Sequence, residues 1–440
     1  MQRSFGSLDL QTTCSGDYQE PLSADRMDEL TGNGPVIARG AGVSYVAASF
    51  GADTRSIGMR GLCRVTKFEP ETKRITVEAG ISLGALYDFL LPHHLFLAIQ
   101  PGHPQITVGG CVACNVHGKN PQRDGVFADV VEALELFHPD YGVMRLSREQ
   151  NPELFELTCG GFGLTGVILT VTLCLSDFPA PLVQVRKIPV RNLDDACEQL
   201  TELKSSYDFL YTWNDLGRFD HRMGRGFLSG GRFVSDPSPL TGRLRSYRPL
   251  DPTPGVRRWR PKVFHRQIIP WATRFGFMWQ MQHPIEELGL FQVIYPGIGW
   301  PAYFDLYGSA GFFGHMVLVP DECRRAYVRS LERVLRTQRE PIFCASMKLF
   351  EGKQRLLHFN GTGVSMHFHV PNTAGGHRLI SAMEDLSREF HLIRNIYFDS
   401  RLSAAMARTL YPEYETFQQR LLRFDPKRRF KSALSHRLEI

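Results

Sequence analysis

No run of 18 apolar residues occurs in this 440-residue chain, so no segment reads as a membrane-spanning helix. The first 20 residues lack an apolar h-region and a cleavage pattern, and a cytoplasmic location is expected. No low-complexity tract is present, so disorder is not the default reading. The nine cysteines are odd in number and scattered, which fits a reducing compartment better than a disulfide framework. Cys111 and Cys114 form a C-x-x-C, but no second pair stands at zinc spacing, and no metal is expected. A strand-like Val36-Ile37-Ala38 runs into Gly40-Ala41-Gly42, yet no third glycine opens a helix and no acidic strand end follows about 20 residues on. That excludes a standard nicotinamide-dinucleotide fingerprint.

What is present is an ordinary globular composition, 43% apolar and 22% charged, long enough for two or three domains. The net charge of +6 is uneven: Arg243 to Arg274 holds nine Lys/Arg against one acid, Asp251. Trp259, Trp271, Phe275, Phe277 and Trp279 lie in or beside that stretch. Basic residues among tryptophans fit an anionic membrane surface better than nucleic acid, which is not expected as a partner. A solvated loop rich in proline is the plain alternative.

The densest stretch runs from Pro101 to Asn120, PGHPQITVGGCVACNVHGKN. Gly109 and Gly110 follow a β-type run, Ile106-Thr107-Val108, and small residues continue through Cys114 and Gly118. With Arg39-Gly40-Ala41-Gly42-Val43-Ser44-Tyr45 it reads as a cradle for a phosphate-bearing cofactor, because glycine-rich turns let backbone N–H groups approach an anion. Along the chain, Arg74 to Ala79 alternates like a strand, and Ser82 caps a helix with Leu83, Leu86 and Leu90 on its apolar face. Val130 to Leu146 reads as two strands joined through Pro139–Gly142, and a strand follows the Gly160-Gly161-Phe162-Gly163 cluster. Helices are expected over 192–204, 321–336 and 377–390, and strands over 314–319, 346–350 and 364–370. On the last, Val364, Met366, Phe368 and Val370 share one face and Ser365, His367 and His369 the other, which is expected to meet a ligand.

Assembled, these residues resemble the vanillyl-alcohol-oxidase (PCMH-type) class of FAD enzymes, and within it the oxidases of lipid-phosphate-linked ribose. The similarity spans nearly the whole chain. It is carried by Arg39–Tyr45, Thr107–Gly110, Cys114–Asn120, Gly160–Gly166, Lys348-Leu349-Phe350, Asp399-Ser400-Arg401, and Phe424–Pro426 through Leu438. The resemblance implies an α+β fold: a two-part FAD-binding domain of residues 1–178 completed by 393–440, with a substrate domain, 179–392, inserted as one antiparallel sheet covered by helices. It implies cofactor contacts from Arg39 to Tyr45, Pro101, Gly102, Thr107 to Gly110, Cys114, Asn115, Val116, His117, Val167, Ile168 and Asn395. On the substrate side it implies Tyr295, His315, His369 and Phe398. Many relatives bind the flavin through a histidine of the first loop; Val43 stands there, so FAD is expected to be non-covalent.

The substrate side departs from the related ribose oxidases. Phe398 replaces a lysine, Gly314 and Met316 replace two glutamines, and His367 replaces a cysteine, whereas Lys119 and Lys348 match. The leading reading is oxidation of a secondary sugar hydroxyl, the sugar free or lipid-linked, with hydride passing to flavin N5. His367 is expected to take the proton because an imidazole titrates near 6.5. Lys119 and Lys348 would hold the substrate and His117 the flavin edge. An NAD(P)-dependent short-chain reductase returning the hydride would make the pair an epimerase, and a peripheral contact at the inner membrane face would suit a lipid carrier. The alternatives are an alditol or aldonolactone-type oxidase using oxygen, and a flavin-binding protein without turnover.

Overall fold

Val36–Arg39 is a short strand whose first two residues are buried, and the α+β fold is anchored on it. The computed structural model describes residues 2–32, 34–177, 182–234, 268–296 and 301–440. Val36–Arg39 runs parallel to Arg55–Gly58, which also runs parallel to Thr13–Gln19. Its other side receives the end of the chain. Val36 N–H donates to Arg429 O at 2.9 Å, and Lys431 N–H donates to Val36 O at 3.0 Å. Helices Ala404–Leu410, Tyr414–Phe424 and Ala433–Leu438 then pack in one core with Ile37 and Val46. The Arg39–Tyr45 loop therefore leaves a strand fixed on both edges.

A five-stranded antiparallel sheet follows in the order Val65–Glu69, Arg74–Glu78, Val167–Cys174, Val131–His138, Gly142–Ser147. The last two form the hairpin expected from the Pro139–Gly142 turn. Ser82 Oγ accepts Ala85 N–H at 3.2 Å, and the helix it caps, Leu83–Leu90, buries Leu83, Leu86 and Leu90 as its spacing predicts.

Eight antiparallel strands from Leu182–Val190 to Ile393–Arg394 make the largest sheet. Leu193–Glu202, Asp321–Gln338 and Ala374–Glu389 cover one face, packing with Met347, Met366 and Phe368. In Asp321–Gln338, Tyr327, Val328, Leu331 and Leu335 are fully buried. At roughly 1.5–3 kcal/mol for each such apolar side chain, packing outweighs the tenths that separate helix propensities. Ala374–Glu389 starts three residues before the expected His377: Thr373 Oγ1 accepts Gly376 N–H at 2.9 Å, a cap hidden in sequence by Gly375 and Gly376.

The opposite face carries the candidate site residues. Register places Gly314, Met316 and Leu318 beside His369, His367 and Ser365, and these beside Ser346 and Lys348. Residues 235–267, with most of the basic run, lie outside the described residues; Trp271, Phe275, Phe277 and Trp279 lie on the helix Ile269–Gln282. Among the described residues, no helix is long and apolar enough to cross a membrane.

Candidate active site

The two glycine-bearing stretches meet at Gly40 and Thr107: a Cβ at Gly40 would collide with Thr107 Oγ1. Among the described residues, the amides of Gly40, Ala41, Gly42, Val43 and Ser44 donate to no protein acceptor, although the flanking Arg39 and Ser44 carbonyls are both engaged. Gly42 has φ +73°, and a Cβ there would run into the Arg39 guanidinium. Consecutive free amides with one residue in the left-handed region form an anion-binding nest. This is the feature that fits the pyrophosphate of a dinucleotide cofactor.

The second stretch differs from expectation. Thr107–Gly110 is not a strand and turn but the start of a helix, Val108–Cys114, capped by Thr107 and closed by Asn115 at φ 44°. Its first amides are already used: Val108 on Ile81 O at 2.9 Å, Gly109 on Ala79 O at 2.7 Å and Gly110 on Thr107 Oγ1 at 3.3 Å. Val108, Gly109 and Gly110 therefore have no free amide to offer an anion, and Thr107 meets the first loop through its side chain at Gly40. A Cβ at Gly109 would press on Ala79, 2.9 Å from its Cβ. Arg39 is likewise spent inside the protein, with Nη1 on Ser49 Oγ at 2.8 Å and the guanidinium over the Phe5 and Phe50 rings.

From the last helical residue, Cys114, the chain runs through Asn115 and Val116 and delivers His117 and Lys119 to the sheet. Asn115 Oδ1 accepts Ala128 N–H at 2.9 Å, which fixes the reversal after the helix. His117 Nδ1 stands 3.1 Å from Gly118 O and 3.3 Å from Lys348 Nζ, with Phe350 and Phe359 against its ring. Lys119 Nζ donates to Ile294 O, and the Pro101-Gly102 turn runs beside it, with the Cβ position of Gly102 3.9 Å from that amine. His367 and His369 face each other through their Nε2 atoms at 3.1 Å. The Phe398 ring lies 4.2 Å from His367 and 4.1 Å from Tyr45 between centroids, which brings the first loop to the same place.

Burial governs the electrostatics. It lowers Lys119, helped by the nearby Lys348 cation, to about 7, and lowers Lys348 to about 8. It holds His117 well below the usual imidazole range, with Lys348 adding to the effect, and lowers His369 to about 3. His367 is also held well below that range, by burial and then by His369 and Lys348. The expectation of an unperturbed imidazole at His367 is thus overturned: desolvation disfavours the imidazolium there. Among the described residues, neither Lys119 nor Lys348 pairs with a carboxylate.

Several expected contacts are drawn elsewhere. His315 aligns with Phe368 and not with His367, so it points into the helix-covered face, where its Nδ1 is 3.6 Å from Asp399. It does not belong to the site. Asn395 is buried with its amide on Met316 Sδ at 3.4 Å and its Oδ1 accepting Tyr397 N–H at 3.2 Å. Tyr295 is buried and donates its hydroxyl to Gln100 Oε1, so it braces the wall behind Lys119. Val167 and Ile168 begin a central strand, buried on its two faces. Phe350 and Phe359 were not anticipated; Phe350 could have been, since it follows Lys348 at the strand period of two.

The family described as an FAD binding domain matches residues 29–147, which include the free-amide loop and His117. With that domain and this site, the chain is an FAD-dependent oxidoreductase acting on CH–OH groups, and it is similar to the PCMH-type class. It is 28% identical over 94% of its length to decaprenylphosphoryl-beta-D-ribose oxidase of Mycolicibacterium smegmatis, covering 91% of that protein. It is 32% identical to L-gulonolactone oxidase of Mus musculus over 61% of this chain and 58% of that one. L-galactono-1,4-lactone dehydrogenase of Arabidopsis thaliana is 34% identical over 25% of this chain and 18% of its own.

Proposed function

We propose that the protein oxidises a secondary hydroxyl of a sugar, carried in the cell on a lipid phosphate, with non-covalent FAD. Residues 1–178 and 393–440 would hold the cofactor and 179–392 the substrate, a division supported by the return of the C-terminal chain to Val36. The observation that carries the reading is Lys119 and Lys348, buried beside His117, His367 and His369 without a carboxylate partner among the described residues. Two such amines suit a substrate that brings hydroxyls and an anionic group. The 28% identity to a decaprenylphosphoryl-ribose oxidase over almost the whole chain supports the same substrate class.

The Gly40–Ser44 amides would hold the pyrophosphate, and the flavin, when bound, supplies the hydride acceptor at N5. The hydroxyl proton needs a base whose pKa lies near the working pH. Lys119, at about 7, meets that requirement better than His367, whose conjugate acid is weak. We therefore assign proton acceptance to Lys119 and orientation of the hydroxyl to neutral His367, reversing their expected roles. Lys348 and His117 would hold the remaining polar groups, and Phe398 with Tyr45 would cover the ring. An NAD(P)-dependent short-chain reductase delivering hydride to the other ring face would complete an epimerisation.

The test is anaerobic mixing of the holoenzyme with ribose, ribose 5-phosphate and a prenyl-phosphate-linked ribose, followed by flavin absorbance. Bleaching by the lipid-linked sugar at least tenfold faster than by the others supports the proposal. Equal bleaching by an aldonolactone with rapid oxygen uptake would favour the second reading, which the gulonolactone oxidase match supports. No bleaching by any of them would leave a flavin-binding protein.

A further inference from the structure

The helix Ile269–Gln282 buries only Ile269 and Thr273. Trp271, Phe275, Met278 and Trp279 are 70%, 69%, 53% and 56% exposed. Their spacing of four, three and one puts them on one stripe of the helix. Ile268 and Ile285, each 53% exposed, extend the apolar surface at both ends. Six of the ten large hydrophobic residues exposed among the described residues therefore belong to this single feature. Scattered apolar residues at a surface are ordinary; a contiguous aromatic stripe is not.

The stripe is held outward by its anchors. Phe277, on another side of the helix, takes the Arg225 guanidinium at 5.4 Å from its ring centre, and the buried Thr273 faces inward beside the buried Asp215, its hydroxyl donating to Pro270 O at 3.3 Å. Arg225 is crowded by Arg218, Arg222 and Arg274, whose charges lower its pKa in addition to the lowering by burial. Against these four arginines stand Asp215 and the Arg218-paired Asp220, so the margin of the stripe is positive. Two tryptophans and a phenylalanine beside a cationic margin match an anionic lipid surface, with rings at the acyl boundary and guanidinium groups at phosphates.

We propose that the Ile269–Gln282 helix lies in the plane of an anionic membrane and docks the enzyme there. This rests on the proposed lipid-linked substrate only for its purpose; the contact itself needs no turnover.

The test is co-sedimentation of FAD-loaded protein with vesicles of phosphatidylglycerol and phosphatidylcholine, compared with phosphatidylcholine alone. Binding is expected to need the anionic lipid and to weaken as salt rises, because the arginine contribution is screened. The triple variant Trp271→Ser, Phe275→Ser, Trp279→Ser should lose ~10-fold or more in partitioning, at unchanged flavin content and unchanged bleaching by a water-soluble substrate. Arg222→Ser with Arg274→Ser should also weaken binding at low salt, on the order of several-fold per charge, and this loss should shrink as salt rises. Absence of vesicle binding at low salt overturns the proposal. So does a wild-type dimer that the triple variant dissolves without any vesicle binding, since the stripe would then be covered by a second copy. Vesicle binding by an enzyme that no sugar bleaches would keep the docking surface and sink the substrate reading.

Discussion

Lys348 Nζ and His117 Nδ1 stand 3.3 Å apart, and Nδ1 also faces Gly118 O at 3.1 Å. One nitrogen cannot donate to the carbonyl and accept from a lysine ammonium at once. While Lys348 is protonated, Nδ1 is the acceptor; once Lys348 loses its proton, Nδ1–H can donate to Gly118 O. Burial brings that change to about pH 8. In the holoenzyme the visible flavin spectrum should therefore titrate with a midpoint near pH 8, and Lys348→Met should abolish the step. An identical titration in that variant would detach Lys348 from the flavin environment.

The free-amide loop predicts different outcomes for two glycines. At Gly40 a valine side chain would collide with Thr107 Oγ1, directly beside the unpaired amides. Gly40→Val should lose FAD, with at least tenfold less flavin per protein after gel filtration and secondary structure kept. At Gly109 the clash is with Ala79, at a helix–strand contact. Gly109→Val should lower the melting temperature, with flavin loss following the unfolding. Equal flavin retention in Gly40→Val and wild type would move the pyrophosphate elsewhere.

Val43 lies in the same loop and has no nucleophile to attach the flavin. Acid precipitation should release intact FAD into the supernatant, leaving the pellet colourless. Fluorescence that stays with the denatured chain on a gel would show a covalent bond made by another residue.

Much of this was legible in the sequence, for physical reasons that differ by element. The 362–371 strand declares its two faces because apolar side chains alternate with His367 and His369, and Ser82 declares its helix by type and spacing. The Val108–Cys114 helix did not, since two glycines in the first turn read as a bend until Thr107 is seen to cap it. His315 was misplaced because its face depends on register with Phe368, which no local pattern carries. The inversion between Lys119 and His367 was out of reach for the same reason: both shifts come from burial that tertiary packing alone creates.

Asp399 predicts an acid limit. It pairs with the fully buried Arg394, and that cation, with His315, holds its carboxyl far below the usual range against the cost of burial. A depressed carboxylate pKa gives stability that is fully present above the unfolded value near 3.8 and lost progressively as pH falls from there through the lower folded value. Asp399→Asn should cost ~3 kcal/mol at pH 7, because it removes the buried carboxylate from a buried guanidinium and leaves it only the partly exposed Glu384, 3.2 Å from Nη2. The gap between variant and wild type, measured by denaturant melts, should narrow toward pH 3. A gap that does not change between pH 7 and pH 3 would mean the pair contributes by shape and not by charge.

Lys119 carries the opposite linkage, and it joins stability to function. Its pKa falls from 10.5 to about 7 on folding, so between these values the unfolded chain binds more protons than the folded one. Stability should rise with pH across that window, and at pH 7 the wild type bears the cost of a buried amine. Lys119→Met removes the group and fits the same aliphatic length, so it should gain on the order of 2 kcal/mol at pH 7. That gain should vanish as pH approaches 10.5, while substrate-driven flavin bleaching falls ~100-fold or more at pH 7. The wild-type bleaching rate should rise through pH 7, and the variant should show no such rise. Stopped-flow bleaching and denaturant melts on one preparation measure both halves. A variant that is stabilised yet bleaches at the wild-type rate would return the proton to His367; one that is destabilised would mean that the bond from Nζ to Ile294 O outweighs the burial of the amine.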